Sequence, residues 1–206
     1  MGKALAAGLF VVVWLVFAIV PEAQGLGGYV RLAFFHIPVA WVSVLAFFLS
    51  AFWALRYLRN PKRHYDTLSF ESAKLGFIFC LLACASGAVF AKLTWGAYWN
   101  WDPRQTTIFI LLLMYGAYLT LRQAVDDENK RARIAAVYSL FSFAAVPFLV
   151  FVIPRYYFSL HPEPVINSAG KIEMEMVMLF VLAASLLWCT ALYFYLLYKN
   201  AGRESI

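Results

Sequence analysis

The chain alternates between long apolar runs and short charged connections. A helix needs about 20 apolar residues to span the hydrocarbon core of a bilayer. Because lipid offers the backbone no hydrogen-bond partners, apolar runs of this length form helices. The pattern predicts an all-α integral membrane protein, a single domain over residues 1–206 with six transmembrane helices. The six spans, none of which contains Asp, Glu, Lys or Arg, are Ala4–Val20, Leu32–Leu55, Leu75–Ala91, Gln105–Leu121, Ile134–Ile153 and Met176–Tyr198.

The basic residues beside these spans indicate their direction, because connections rich in Lys and Arg stay in the cytoplasm. Twelve of them lie on one side: Lys3, Arg56, Arg59, Lys62, Arg63, Lys74, Arg122, Lys130, Arg131, Arg133, Lys199 and Arg203. Five lie on the other: Arg31, Lys92, Arg104, Arg155 and Lys171. We therefore expect both termini to be cytoplasmic, with the connection between the third and fourth spans on the outer face.

Composition narrows the possible functions. The 206 residues are 64% apolar and 14% charged, with a formal net charge of +6. Globular domains are nearer half apolar and a quarter charged, so this composition is typical of a protein in lipid. The three cysteines lie inside apolar runs and do not suggest a disulfide framework. The connections carry no nucleotide-binding signature, so the chain is not expected to be its own ATP-driven pump. We also expect no nucleic-acid partner.

One outer connection is unusually aromatic. In "KLTWGAYWNWDPRQTT", three tryptophans, a tyrosine and an aspartate fall within the eight residues 95–102. A single Trp at a membrane surface belongs to the general aromatic belt, but this density indicates a flat binding surface. Asp102-Pro103 predicts a helix start, with Asp as N-cap and Pro at the first helical position. If the segment is helical, Trp95 and Trp99 share a face.

Two of the three histidines share the outer face with this segment. His36 lies five residues into the second span and His161 follows the fifth, whereas His64 lies in a basic cytoplasmic connection. Ionisable groups within spans are uncommon and are candidates for function. Two imidazoles beside a flat aromatic surface suit a planar ligand with a central metal, and haem iron takes axial His ligands.

Haem also carries two propionates, which need cations or water. Arginine binds carboxylates bidentately through its planar fork. Three outer arginines are candidate propionate partners, and the sequence does not decide among them: Arg31, Arg104 and Arg155.

These residues also carry a family resemblance. "WGAYWNWDPRQTT" resembles the tryptophan-rich (WWD) signature of the CcmC/CcmF/CcsA haem-handling family of cytochrome c maturation, and "FFHIPVAW" is similar to its His-x-Pro segment. Length and span number look most like the CcmC branch, the haem exporter C proteins. The resemblance implies non-covalent haem b at the periplasmic face of a bacterial inner membrane, with His36 and His161 as axial ligands. It implies a haem platform made of Trp95, Tyr98, Trp99, Trp101 and Asp102.

The family also implies partners. Haem would pass to the haem chaperone CcmE, and the membrane complex of CcmA, CcmB and CcmD would release the loaded chaperone. Such a transfer is carriage rather than catalysis, since the covalent bond forms on the chaperone.

Several alternatives stay open at this stage. Tyr98 and the pattern "AYWNWDP" are closer to CcsA, a cytochrome c synthetase component that normally has more spans. A membrane b-type cytochrome would carry electrons, but it usually buries four histidines deep in its spans. A haem-conducting channel would need polar faces along several helices, and a purely structural docking subunit would leave both histidines dispensable.

Overall fold

The structure is a computed structural model that describes residues 1–161, 172 and 174–204, so Lys171, one of the five outer basic residues, lies outside it. Secondary structure in these ranges is helical apart from one isolated bridge between Ala23 and Gly27. The helices are α1 (Gly2–Ala18), a 3-10 turn (Gly28–Leu32), α2 (Ala33–Arg59), α3 (Arg63–Trp95), α4 (Pro103–Gln123), α5 (Glu128–Pro147), a π-helical turn (Phe148–Val152), α6 (Ile153–Tyr156) and α7 (Met176–Glu204).

The chain is a multi-pass membrane protein by the length and apolar character of its helices. Within the described residues, four segments are long and apolar enough to cross a membrane: Gly28–Arg59, Arg63–Trp95, Glu128–Tyr156 and Met176–Gly202. Helix α1 is also apolar but has 17 residues. Helix α4 has 21 residues and carries Arg104 and Arg122 near its two ends. All six predicted spans therefore correspond to helices, four of which are both long and apolar enough to cross a membrane.

Two helices begin earlier than the apolar pattern predicts. Helix α3 starts at Arg63, not Leu75, and α5 starts at Glu128, not Ile134. These first turns contain charged residues and so lie outside the apolar runs, but in the structure they are helical. The side chain of Glu71 is 1% exposed and pairs with Lys74, and Asn200 of α7 donates to it at 2.9 Å. The charged connections are thus largely helical.

Helices α2 and α3 pack against each other at the centre, and α5, α7 and α4 pack around them. Buried hydroxyl groups join three of these helices. The hydroxyl of Ser50 lies 2.9 Å from that of Ser139, and Ser69 donates to the Ser50 carbonyl at 2.9 Å. Small hydroxyl residues allow close approach of helices in lipid and hydrogen-bond across them. This packing sets the relative positions of the helix ends.

Four helix ends meet at one end of the bundle. Helix α3 stops at Trp95 because Gly96 adopts φ 82°, a left-handed conformation that glycine tolerates without strain. Residues 97–102 then lead into α4. The fifth helix runs through the π-helical turn after Pro147 to Tyr156, which brings residues 157–161 back to the start of α4. The 3-10 turn before α2 completes this end.

Candidate functional site

Asp102 begins α4, as the Asp-Pro pair predicted. Its carboxylate accepts a hydrogen bond from the backbone N–H of Arg104 at 2.9 Å, and Pro103 occupies the first helical position. An N-cap aspartate satisfies one of the free N–H groups at a helix start. The prediction of the helix start is confirmed.

The same carboxylate binds a segment almost sixty residues further along the chain. The Ser159 hydroxyl donates to Oδ2 at 2.9 Å, the Leu160 N–H donates to Oδ2 at 2.7 Å, and the His161 Nδ1 lies 2.9 Å from Oδ1. The Asp102 side chain is 1% exposed. Burial alone would raise the pKa of Asp102, but the hydrogen bonds from Arg104, Leu160 and Ser159 bring it below its ordinary value. Asp102 is therefore ionised.

An ionised carboxylate only accepts, so the contact with His161 assigns the tautomer of that imidazole. Its proton lies on Nδ1, which leaves the lone pair on Nε2. The edge of Trp95 packs on the ring at 4.9 Å between centroids, and the His161 side chain is 14% exposed. Burial lowers the pKa of His161; Asp102 opposes this, and Arg104 acts in the same direction as burial. The result is a neutral, oriented imidazole whose Nε2 is unprotonated.

His36 is held in the same way by a different helix. Its Nδ1 lies 3.0 Å from the Ser86 hydroxyl, and that hydroxyl donates its own proton to the Leu82 carbonyl at 2.7 Å. Ser86 therefore accepts from His36, which places the ring proton on Nδ1 and again leaves Nε2 unprotonated. The ring lies on Gly87, where an added Cβ would approach Cε1 to 3.0 Å. A hydroxyl and a glycine on one turn of α3 position this ring.

The two imidazoles are close enough to interact. His161 and Arg104 both act electrostatically on His36. His36 contacts α3 at Ser86 and Gly87, whereas His161 contacts it at Trp95. At a rise of 1.5 Å per residue, these contact points are roughly 12 Å apart along the axis of α3. The rings therefore lie at different depths, with His161 nearer the end of the helix.

The aromatic segment is a loop and not a helix, so the condition under which Trp95 and Trp99 would share a helical face is not met. Trp95 ends α3 beside His161, while Trp99 packs edge-on against Trp101 at 5.8 Å and Phe109 at 5.9 Å. The reason is Gly96, which ends the helix between the two tryptophans.

Two side chains of this loop project from the fold. Trp101 is 76% exposed and has φ 56°, a conformation rare for a bulky residue. Tyr98 is 61% exposed, with the Lys92 ammonium 5.7 Å from its ring centroid. Such strain persists where the surroundings enforce it and is often associated with function. The loop thus presents a broad aromatic surface.

The structure separates the three candidate arginines. Arg104 acts electrostatically on both histidines, and Arg155 in turn acts on Arg104. The Arg155 guanidinium also donates to the Phe151 carbonyl at 3.0 Å. The Arg31 guanidinium instead donates to the Val20 carbonyl at 3.2 Å, between α1 and α2. Arg104 is thus the most central cation of the three.

Several residues that hold the site together are not among those predicted from the sequence. Ser86 and Ser159 position the two imidazoles, and Gly87 makes room for one of them. Gln105 bridges the aromatic loop, donating to the Tyr98 carbonyl at 3.2 Å and accepting from the Asn100 N–H at 2.9 Å. In the sequence, the one sign of such residues is that some of them are polar and close to a helix end. Residues of that kind are common at membrane surfaces, so they do not stand out.

Comparison with known proteins gives the family of the chain. The sequence model of the CcmC family, described as haem exporter protein C, matches residues 1–206. The chain belongs to the CcmC family. A haem exporter protein C from Bradyrhizobium diazoefficiens is 32% identical over 156 residues, which is 75% of this chain and 59% of that protein. A ccmC-like mitochondrial protein of cytochrome c biosynthesis from Marchantia polymorpha is 25% identical over 93% of this chain and 80% of its own length.

The chain is also similar to CcsA proteins, over a shorter stretch. A cytochrome c biogenesis protein CcsA from Prochlorococcus marinus is 49% identical over 71 residues, 34% of this CcmC-family chain and 23% of that protein. The alignment to the Bradyrhizobium protein spans less than two thirds of that relative. The family assignment rests on the full-length match, and the similarity to CcsA covers a minority of the chain.

Proposed function

We propose that this CcmC-family protein binds haem b non-covalently and delivers it to a haem chaperone, CcmE, during cytochrome c maturation. Membership of the CcmC family and the names of its relatives support a role in haem handling for cytochrome c maturation. The observation that carries the proposal is the pair of imidazoles, each of which uses Nδ1 on a protein acceptor and leaves Nε2 unprotonated.

In this proposal His36 and His161 are the axial ligands of the haem iron. Metal-binding histidines generally donate their second nitrogen to a carboxylate or another acceptor, which fixes the tautomer and raises the basicity of the ligand. Asp102 does this for His161 and Ser86 for His36. The different depths of the two rings suit a porphyrin lying across the axis of α3 between them.

The surrounding residues would hold the rest of the porphyrin. Trp95, Tyr98, Trp99 and Trp101 form the platform, with the two exposed rings, Tyr98 and Trp101, at its open side. Arg104 is the favoured propionate partner because it acts on both imidazoles, with Arg155 next to it. Arg31, held at the Val20 carbonyl, is a weaker candidate.

The proposed arrangement in the membrane follows the charge pattern. Helices α1 to α5 and α7 form six spans of the bacterial inner membrane, with both termini in the cytoplasm and the aromatic loop on the periplasmic face. CcmA, CcmB and CcmD are the proposed partner complex, and surrounding lipid completes the environment. The excess of Lys and Arg on the side opposite the loop supports this orientation.

The absorption spectrum of the purified protein tests the proposal. We expect wild type to carry a non-covalent haem with the spectrum of a complex with two axial imidazoles, and His36→Ala/His161→Ala to lose it. His64→Ala is the matched control, because that ring lies exposed at the other end of the bundle. An unchanged spectrum in the double variant would exclude both histidines as ligands.

Transfer distinguishes the proposal from its two alternatives. Haem carried by this protein should appear on added CcmE, and the histidine double variant should transfer none. Direct attachment to an apocytochrome without the chaperone would indicate a CcsA-like synthetase component instead. Rapid reduction of the haem by quinol, with no transfer, would indicate a b-type cytochrome.

A further inference from the structure

A second polar feature lies at the end of the bundle opposite Asp102. There the start of α3, the end of α4 and the start of α5 enclose a cleft of about 490 Å³. Four basic residues, one amide and two apolar residues line it: Arg63, Lys74, Arg122, Arg131, Gln123, Phe70 and Leu119. The proposed haem site uses none of these residues.

Two of the four cations are already paired with acids, one half-buried and one buried. Arg122 donates both of its terminal nitrogens to Asp66, at 2.6 and 2.8 Å, and Lys74 pairs with Glu71. The Arg122–Asp66 pair joins α4 to α3, whereas the Lys74–Glu71 pair lies within α3. The other two basic residues, Arg63 and Arg131, are therefore the candidates to bind a ligand.

Arg63 and Arg131 are held more weakly. Both share the carboxylate of Glu128, each at 3.7 Å, and the Glu128 side chain is 63% exposed. An exposed ion pair at this distance contributes little, about 0–1 kcal/mol. A phosphate with several acceptor oxygens would compete well for two guanidinium forks. Arg131 also donates a long hydrogen bond of 3.4 Å to the Val125 carbonyl. The cleft therefore has two weakly paired cations for an anionic ligand.

The floor of the cleft is apolar. The guanidinium of Arg122 lies 4.4 Å from the centroid of the Phe70 ring, and the Lys74 ammonium lies 5.3 Å from it. Leu119 completes this floor on α4. Towards the middle of the bundle, α3 and α4 expose apolar side chains, among them Leu82 and Leu113. A basic rim above an apolar floor matches an amphipathic molecule better than a small soluble anion.

We propose that this cleft binds the phosphate headgroup of an anionic phospholipid, with Arg63 and Arg131 on the phosphate and the acyl chains along α3 and α4. Basic pockets between transmembrane helices commonly bind such headgroups. Among the described residues, the lining has no His, Cys, Met or Tyr, the side chains that ligate haem iron, so this lining suits haem poorly. The proposal is independent of haem binding at the other end.

Native mass spectrometry of the full chain in mild detergent tests the proposal, with phosphatidylglycerol or phosphatidylcholine added. We expect wild type to retain phosphatidylglycerol and not phosphatidylcholine. Arg63→Gln/Arg131→Gln should reduce retention by about tenfold or more, because two charge-assisted contacts are lost. Lys130→Gln/Arg133→Gln is the matched control: it removes the same charge from exposed residues of α5 that do not line the cleft, and should retain the lipid.

Three results would overturn the proposal. Equal loss in both double variants would mean that general surface charge attracts the lipid. Equal retention of the two lipids by wild type would remove the role of the anionic headgroup. Displacement of phosphatidylglycerol by inorganic phosphate would mean a site for free anions. The last two comparisons use wild type alone, so they hold even if a variant fails to fold.

Discussion

Each end of the bundle holds an aspartate with several hydrogen-bond donors, and the two aspartates differ in their partners. At one end, Asp66 accepts hydrogen bonds from both terminal nitrogens of Arg122, so the two charges pair directly. At the other end, Asp102 accepts from two backbone N–H groups, a hydroxyl and the imidazole of His161. This second arrangement leaves one imidazole nitrogen unprotonated and without a partner among these contacts.

The partners of each aspartate distinguish an acid that stabilises packing from an acid that is a candidate for function. A largely buried pair between Asp and Arg stabilises the packing only if it stays intact, since breaking it leaves a buried charge. An Asp that orients a His instead prepares that His to bind something else. The hydrogen-bond distances are similar at the two ends, so the identity of the partner side chain makes the distinction.

The largest expected effect is at the structural end. Asp66→Asn should lower the free energy of unfolding by about 3–5 kcal/mol, because Arg122 would keep a buried charge without its partner. Denaturant unfolding in detergent micelles measures this, with the exposed Asp126→Asn as control. Haem bound per folded molecule should stay at the wild-type level; a loss of haem in folded Asp66→Asn would show that the two ends are coupled.

Asp102→Asn should mainly lower haem affinity and have a smaller effect on stability, the reverse of what we expect for Asp66→Asn. Every group around this carboxylate is a donor, so the amide of Asn must point at one of them. We expect haem affinity to fall by about 10–100-fold, as for other residues that orient a metal ligand, and stability to fall by only about 1–3 kcal/mol. Haem titration followed by absorbance measures the affinity. Wild-type affinity in Asp102→Asn would refute the role of Asp102 in positioning His161.

Substitutions at two glycines test the position of His36, with a smaller expected effect on haem affinity. In Gly87→Ala, the new Cβ would lie 3.0 Å from Cε1 of His36 and push the ring away, so we expect haem affinity to fall by about fivefold. In Gly116→Ala on α4, the new Cβ would make an ordinary contact of 3.7 Å with Phe77. The same titration should find wild-type affinity for Gly116→Ala, and equal loss in both variants would remove the argument for His36.

The smallest expected effect is a pH dependence of the haem-free protein that comes from the Asp102 end. Because burial lowers the pKa of His161 on folding, the unfolded chain binds more protons, and stability falls as pH decreases below about 6.5. The lowered pKa of Asp102 adds a loss in the same direction at more acidic pH. Unfolding midpoints between pH 5 and 8 measure the slope, which should decrease in His161→Gln. A slope unchanged in that variant would show that His161 does not contribute.

Local features of the site were predictable, and long-range features were not. The cap at Asp102 follows from two adjacent residues, and the helices follow from the apolar runs. The family resemblance carried by the aromatic segment agrees with the full-length family match. The contact between Asp102 and His161 depends on packing between distant segments. So does the burial of Glu71, which the apolar pattern had placed in a connection.

Sequence alone was enough to place the apolar helices and the start of α4, because both depend on neighbouring side chains and on the exclusion of charge from lipid. The pairing of donors with acceptors across the bundle depends on tertiary packing and could not be read from the sequence. Ser86 beside His36, Ser159 and His161 around Asp102, and Arg122 on Asp66 are brought together by helix packing, and that packing assigns one aspartate to stability and the other to the candidate site.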